Sequence, residues 1–81
     1  MDKRIAILGI IVEEMESVMA VNDLLHEYRE YIIGRMGMPY REKNLSVISV
    51  VLDAQNEVIS ALSGKLGMLN GVSSKAVYSK K

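Results

Sequence analysis

The chain has 81 residues, enough for one small domain, and no cysteine, which excludes disulfides, thiolate catalysis, iron–sulfur ligation and zinc–thiolate sites. Ten basic and ten acidic side chains cancel, so the basic excess on which nucleic-acid binding draws is absent. Hydrophobic residues make up 49% of the chain, and a domain of this size buries only about 63% of its unfolded surface, so further burial between copies is expected.

Residues 5–12 (IAILGIIV) are apolar on both faces, as in a strand whose sheet is covered on each side. Lys3 and Arg4 ahead of this run superficially resemble a secretion signal. The run is far short of a membrane span, however, and Glu13, Glu14 and Glu16 follow it instead of a small-residue cleavage site. A buried strand in a soluble, cytoplasmic protein is expected. Residues 14–28 then carry helical periodicity, with Met15, Val18, Val21, Leu25 and Tyr28 on one stripe broadened by Leu24. The glutamates fall in the expected first turn, where the helix dipole favours negative charge. Met15 and Met19 are expected to pack in the core.

Residues 31–36 read as a second strand. Residues 37–44 (GMPYREKN) hold the single proline and read as a loop joining an antiparallel pair. Residues 45–52 (LSVISVVL) form a third strand, with Ile48, Val50 and Leu52 on one face and Leu45, Val47 and Val51 on the other. A second helix over residues 55–66 turns Val58, Ile59, Leu62 and Leu66 inward, with Asp53 or Asn56 as its cap and Gly67 suited to a left-handed C-terminal position. Gly64 within it costs about 1 kcal/mol relative to Ala, unless close packing demands it or the helix ends early. Residues 72–78 make a fourth strand, and Ser79-Lys80-Lys81 is expected to fray.

Strand–helix–strand twice over is the split βαβ, or ferredoxin-like, plan. The prediction is a single α+β domain over residues 1–81, with an antiparallel four-stranded sheet in order 4-1-3-2 and two helices on one face. The first and third strands are then central, and their second apolar face needs a cover this chain does not supply. A homo-oligomer, dimer or tetramer, with Val47 and Val51 in its interface follows.

Chemistry-bearing constellations are sparse. His26 is the single histidine, and with Glu30 it makes too poor a ligand set for a transition metal, which takes three or four protein ligands. The carboxylates cluster at a helix start or on its outer face, and no serine stands in a nucleophile-elbow pattern. The glycines around Gly64-Lys65-Leu66-Gly67 end a helix, where a phosphate loop would precede one. No catalytic residue, metal or cofactor is therefore assigned. The region 34–42 is the expected contact site for a ligand or partner. Arg35 there can make forked hydrogen bonds to a carboxylate or phosphate, Tyr40 supplies a flat amphipathic surface beside a stiffening proline, and Met36 and Met38 flank Gly37 at a strand end, a candidate interface. A different class of function, a small dimeric α+β barrel enzyme, would place His26 in an enclosed pocket with Arg35 or Tyr40 beside it.

Three runs carry a resemblance: Val21-Asn22-Asp23-Leu24-Leu25-His26, then Gly34-Arg35-Met36-Gly37-Met38-Pro39-Tyr40-Arg41-Glu42, then Ala61-Leu62-Ser63-Gly64-Lys65-Leu66-Gly67 with Gly71-Val72. Together they resemble the small regulators of the iron-only hydrogenase system, ACT-like domains similar to the C-terminal domain of the nickel-responsive repressor. The resemblance implies a ferredoxin-like fold, homo-oligomerisation and a regulatory role. The expected function is a regulatory or sensor module that binds a small ligand or a regulatory protein partner. The repressor's nickel site uses several histidines and a cysteine, and its DNA is read by a ribbon-helix-helix ahead of the first strand. With His26 alone and a first strand at residue 5, neither nickel sensing nor direct nucleic-acid binding is expected.

Overall fold

Alternation along the two central strands sets the architecture. The computed structural model describes residues 3–80. In β1 (Arg4–Val12), Ala6, Leu8, Ile10 and Val12 are buried while Ile5, Ile7, Gly9 and Ile11 between them are exposed. In β3 (Leu45–Ala54), Ile48, Val50, Leu52 and Ala54 are buried in the same rhythm. These side chains share one core with Val21 and Leu25 of α1 (Val18–Glu27) and with Ile59, Leu62 and Leu66 of α2 (Asn56–Gly67), so both helices lie on the same face. With β2 (Ile32–Tyr40) and β4 (Val72–Tyr78) the sheet runs β2-β3-β1-β4, every neighbour antiparallel. That is the 4-1-3-2 order expected from the sequence, in an α+β, ferredoxin-like fold. No helix among the described residues is long and apolar enough to cross a membrane.

The second strand is longer than the sequence predicts. Residues 37–40, read as loop, continue β2 against β3 as far as Tyr40 opposite Leu45, past an irregularity between Ile32 and Gly34. Proline argues against a central strand, but β2 is an edge, where every second backbone nitrogen faces away from the sheet. The reversal is a short 3-10 turn, Arg41–Lys43, closed by Asn44 in the left-handed conformation at φ 54°, which asparagine tolerates better than most side chains.

The first helix is shorter than predicted. A 3-10 turn, Met15–Ser17, precedes α1, and Glu13, Glu14 and Glu16 lie ahead of the first α-helical turn, which holds no acid. The cause is a tether between two connections. Glu13 N donates to Gly71 O at 2.7 Å, and the buried Ser17 hydroxyl donates to Asn70 O at 2.6 Å. Met15 and Met19, expected in the core, face solvent instead: Met15 lies in the 3-10 turn and Met19 on the side of α1 away from the buried Val21 and Leu25.

Gly67 still belongs to α2, and the left-handed glycine is Gly71, at φ 70°. A Cβ on Gly71 would also overlap the Glu14 side chain. Gln55 occupies the N-cap of α2 without a side-chain bond, so neither Asp53 nor Asn56 caps it. Helix α2 runs through Gly64, whose absent Cβ would meet no heavy atom within 4 Å. At the end of the chain Ser79 N donates to Ile5 O at 2.8 Å, so the ladder reaches one residue into the segment expected to fray; Lys81 lies outside the described residues.

Candidate interaction face and an adjoining hollow

Directly paired residues of an antiparallel ladder share a face. Pairing therefore assigns Gly34, Met36, Met38 and Tyr40 of β2, Val47, Ser49 and Val51 of β3, Ile5, Ile7, Gly9 and Ile11 of β1, and Ser73, Lys75 and Val77 of β4 to the side opposite the helices. Eight apolar side chains there, Ile5, Ile7, Ile11, Met36, Met38, Tyr40, Val47 and Val77, are between 38% and 70% exposed. Taking about 200 Å² for each whole residue, the exposed fractions amount to on the order of 800 Å², the area one partner contributes to a standard protein–protein interface. The largest apolar patch on a typical monomer is about 300–600 Å². Lys75 and Asp53 are the charged residues that pairing places on this face, opposite Gly9 and Ile5. At its centre, where Gly9 and Ser73 lack bulk, a shallow depression of about 450 Å³ opens beside Ile11 and Val47.

Four of the residues expected to contact a ligand or partner separate here. Met36, Met38 and Tyr40 join Val47 and Val51 on the open face. Arg35, opposite the buried Val50, turns to the helix side, where its Nη2 donates to Asn22 Oδ1 at 3.0 Å. The same period-2 rule that paired Val47 with Val51 in the sequence separates Arg35 from Met36, and it places Met38 and Tyr40 with Met36 once residues 37–40 are recognised as strand. Ile5, Ile7, Ile11 and Val77 were the members of the face not singled out from sequence. Their signal was the unbroken apolar run of β1 and its register with β4.

His26 lies on the exposed side of α1, in an open hollow of about 320 Å³ that it shares with Asn22, Leu25, Arg29, Ile32 and Arg35. Arg29 is the residue of this hollow that sequence reasoning missed, because it lies beyond α1 in the 3-10 turn Arg29–Tyr31. Arg35 thus stands beside His26 but the hollow is open, and Tyr40 is on the other face of the sheet. Among the described residues, no three or more His, Asp or Glu side chains gather closely enough to hold a metal ion.

The geometry can now be set beside known proteins. A family model described as "TM1266-like: Iron-only hydrogenase system regulator, putative" matches residues 4–76. The structure of the uncharacterized protein TM1266 from Thermotoga maritima superposes with a TM-score of 0.93 at 45% identity, covering 98% of this chain and 100% of that one. A formyltetrahydrofolate deformylase from Pseudomonas putida KT2440 superposes with a TM-score of 0.65 at 16% identity, covering 90% of this chain and 28% of that one; at that identity the likeness shows the fold alone. Among curated proteins none matches the chain.

Proposed function

The chain belongs to the TM1266-like family of iron-only hydrogenase system regulators, and on that premise we propose that it is a regulatory or sensor module, not a catalyst, that works as an assembly of two or more copies and binds a small ligand or a regulatory protein partner. The observation that carries the assembly is the open sheet face, with on the order of 800 Å² of mostly apolar surface in a chain this small. A second copy of the chain is the occupant. Its face is by construction the same size and equally apolar, a two-fold contact matches each patch to itself, and a formal net charge of zero leaves no overall repulsion between copies. In this reading Met36, Met38, Tyr40, Val47 and Val51 touch the partner copy. A regulatory role fits the open setting of His26, which lacks the water-poor enclosure that acid–base catalysis uses. The proposal places the module in the cytoplasm, a reducing compartment with which a chain without cysteine is compatible.

The test has two arms. Sedimentation equilibrium of the wild-type chain should return a mass of at least two copies at micromolar concentration, and a single-copy mass throughout would remove the assembly. Deleting the gene in a cell that makes iron-only hydrogenase should change hydrogenase transcript or activity, with recovery on complementation. An unchanged level would remove the regulatory role.

A further inference from the structure

The hollow on the helix side is chemically one-sided. Its floor is apolar, the buried Leu25 and the half-buried Ile32. Its rim carries Arg29 from the turn after α1 and Arg35 from the edge strand β2, with His26 and Asn22 one helical turn apart between them. No carboxylate is among its lining residues. Among the described residues the two guanidinium groups bond neutral acceptors: Arg35 Nη2 to Asn22 Oδ1 at 3.0 Å, and Arg29 Nη1 to the His26 carbonyl oxygen at 2.9 Å. Each bond uses one of five N–H groups and neutralises no charge. The chain carries ten acidic side chains, yet these two arginines are held in place by an amide and a carbonyl. Such bonds orient a guanidinium while leaving its charge available to a ligand.

A second, mainly apolar hollow of about 220 Å³ adjoins the first, with Asn22 and Arg35 lining both. It runs between Val18 on α1 and Pro39 and Ile48 on the sheet. The two exist because the helices cover β1 and β3, leaving the helix side of the edge strand only partly filled; Arg35, Gly37 and Pro39 of β2 are all exposed. The Arg35–Asn22 bond thus stands where a cationic space meets an apolar one.

We propose that this α1–β2 groove binds a small organic anion, its carboxylate or phosphate group held between Arg29 and Arg35 and its compact apolar part lying on Leu25 and Ile32 or reaching toward Val18 and Pro39. Arginine is suited to this because its planar fork matches both oxyanions. The site is solvent-exposed, so the apolar contact adds to an otherwise screened attraction. The proposal builds on the regulatory reading by naming a ligand chemistry and a place, but binding alone reads it out. Its failure would leave assembly and regulation untouched, and their failure would leave it standing.

The experiment is an amide chemical-shift titration of the wild-type chain with inorganic phosphate, phenyl phosphate, butyrate and neutral butanol at constant ionic strength. Phenyl phosphate or butyrate should saturate and move amides between residues 22 and 35, and whichever binds tighter identifies the oxyanion. Phenyl phosphate should bind at least about tenfold tighter than inorganic phosphate, and butanol should not saturate. The double variant Arg29→Gln with Arg35→Gln should weaken binding at least about tenfold, whereas Arg41→Gln with Lys43→Gln, the same loss of charge from the hairpin, should leave affinity within about twofold. Equal weakening by both double variants would reduce the effect to general charge attraction and overturn the site. So would butanol binding as tightly as butyrate, or no saturation by either organic anion up to roughly 10 mM.

Discussion

Met38 on β2 and Val47 on β3 stand directly opposite each other in the ladder, both on the face away from the helices and both exposed. Val47 is 38% exposed and Val51 less, so burying what remains of both against a second copy is worth on the order of 1–2 kcal/mol as an upper bound. Val47→Asp places a carboxylate within that surface without touching the helix-side core, and an unpaired buried charge is far more costly than a lost methyl group. The variant should keep its helical and sheet circular dichroism while its light-scattering mass falls to one copy. A wild-type mass would locate the contact elsewhere, with the β2 or β4 edge the next place to look.

Two glycines should respond to alanine with opposite sign. Gly71 has φ 70° and a Cβ there would overlap Glu14, so Gly71→Ala should destabilise by at least about 1–2 kcal/mol. Gly64 lies inside α2 with nothing within 4 Å of a new Cβ, so Gly64→Ala should stabilise by about 0.5–1 kcal/mol. For a domain of this size those changes move Tm by roughly 4–8 °C per kcal/mol. Thermal melts showing the same sign at both positions would contradict the geometry.

Ser17→Ala tests the tether that delays the first helix. The Ser17 hydroxyl is buried and donates to Asn70 O at 2.6 Å, joining the segment before α1 to the segment after α2. Removing one neutral hydrogen bond in a part-buried setting should cost about 0.5–1.5 kcal/mol. Amide exchange should quicken at Glu13, whose N–H bonds the neighbouring Gly71 carbonyl at 2.7 Å, more than at the central β1–β3 pairs. Uniform acceleration across the chain would mean that the bond contributes to global stability but not to this junction.

Lys65 and Tyr28 give a pH dependence. Lys65 Nζ lies 5.2 Å from the Tyr28 ring centroid. Hydrogen bonding to Tyr28 first, then the charge of Tyr28, raises the Lys65 pKa above the usual lysine value of 10.5, with a smaller contribution from Glu27. The folded pKa therefore exceeds the unfolded one. The stabilisation is fully present below the unfolded value and is lost as pH rises through the folded one, so the pH dependence falls only on the alkaline side. In Tyr28→Phe the Lys65 side-chain titration, followed by NMR, should move back toward the ordinary lysine midpoint. An unmoved midpoint would mean that Tyr28 is not the cause.

Much of the fold is legible in the sequence because two apolar central strands and two amphipathic helices in this order leave few ways to bury their faces. Residues 45–52 show it best: period two assigned Ile48, Val50 and Leu52 to the core and Val47 and Val51 to the other side, and the structure places them so. The misreadings fall where a local signal lost to a distant partner. Pro39 signalled a loop, but pairing with Ser46 on an edge strand keeps it in β2. Glu14 and Met15 carried helical periodicity, but contacts between residues 13–17 and Asn70 and Gly71 hold the chain in a tighter turn. The candidate contact residues were named from sequence singly and not as a surface. Met36, Met38 and Tyr40 were grouped with Arg35, whereas the extension of β2 through Tyr40 puts those three on one face and leaves Arg35 on the other, toward Asn22 and a hollow completed by Arg29.

Methionine oxidation gives an independent test of whether a second copy covers the open face. In the single chain Met36 and Met38 are 70% and 59% exposed, similar to Met19 at 76% and Met68 at 87% on the α1 surface and the end of α2. Sulfoxide formation follows exposure of the thioether, so an isolated chain should oxidise all four at similar rates. Assembly through the open face covers Met36 and Met38 and leaves Met19 and Met68 in water. Under dilute hydrogen peroxide, peptide mass spectrometry of the wild-type chain should find Met36 and Met38 at least about fivefold slower than the other pair. In Val47→Asp the four rates should converge to within about twofold. The oxidised face would carry polar sulfoxides where two copies meet, so prolonged exposure should also lower the wild-type mass in light scattering. Equal rates in the wild-type chain at a concentration where it is assembled would show that the copies meet through some other surface.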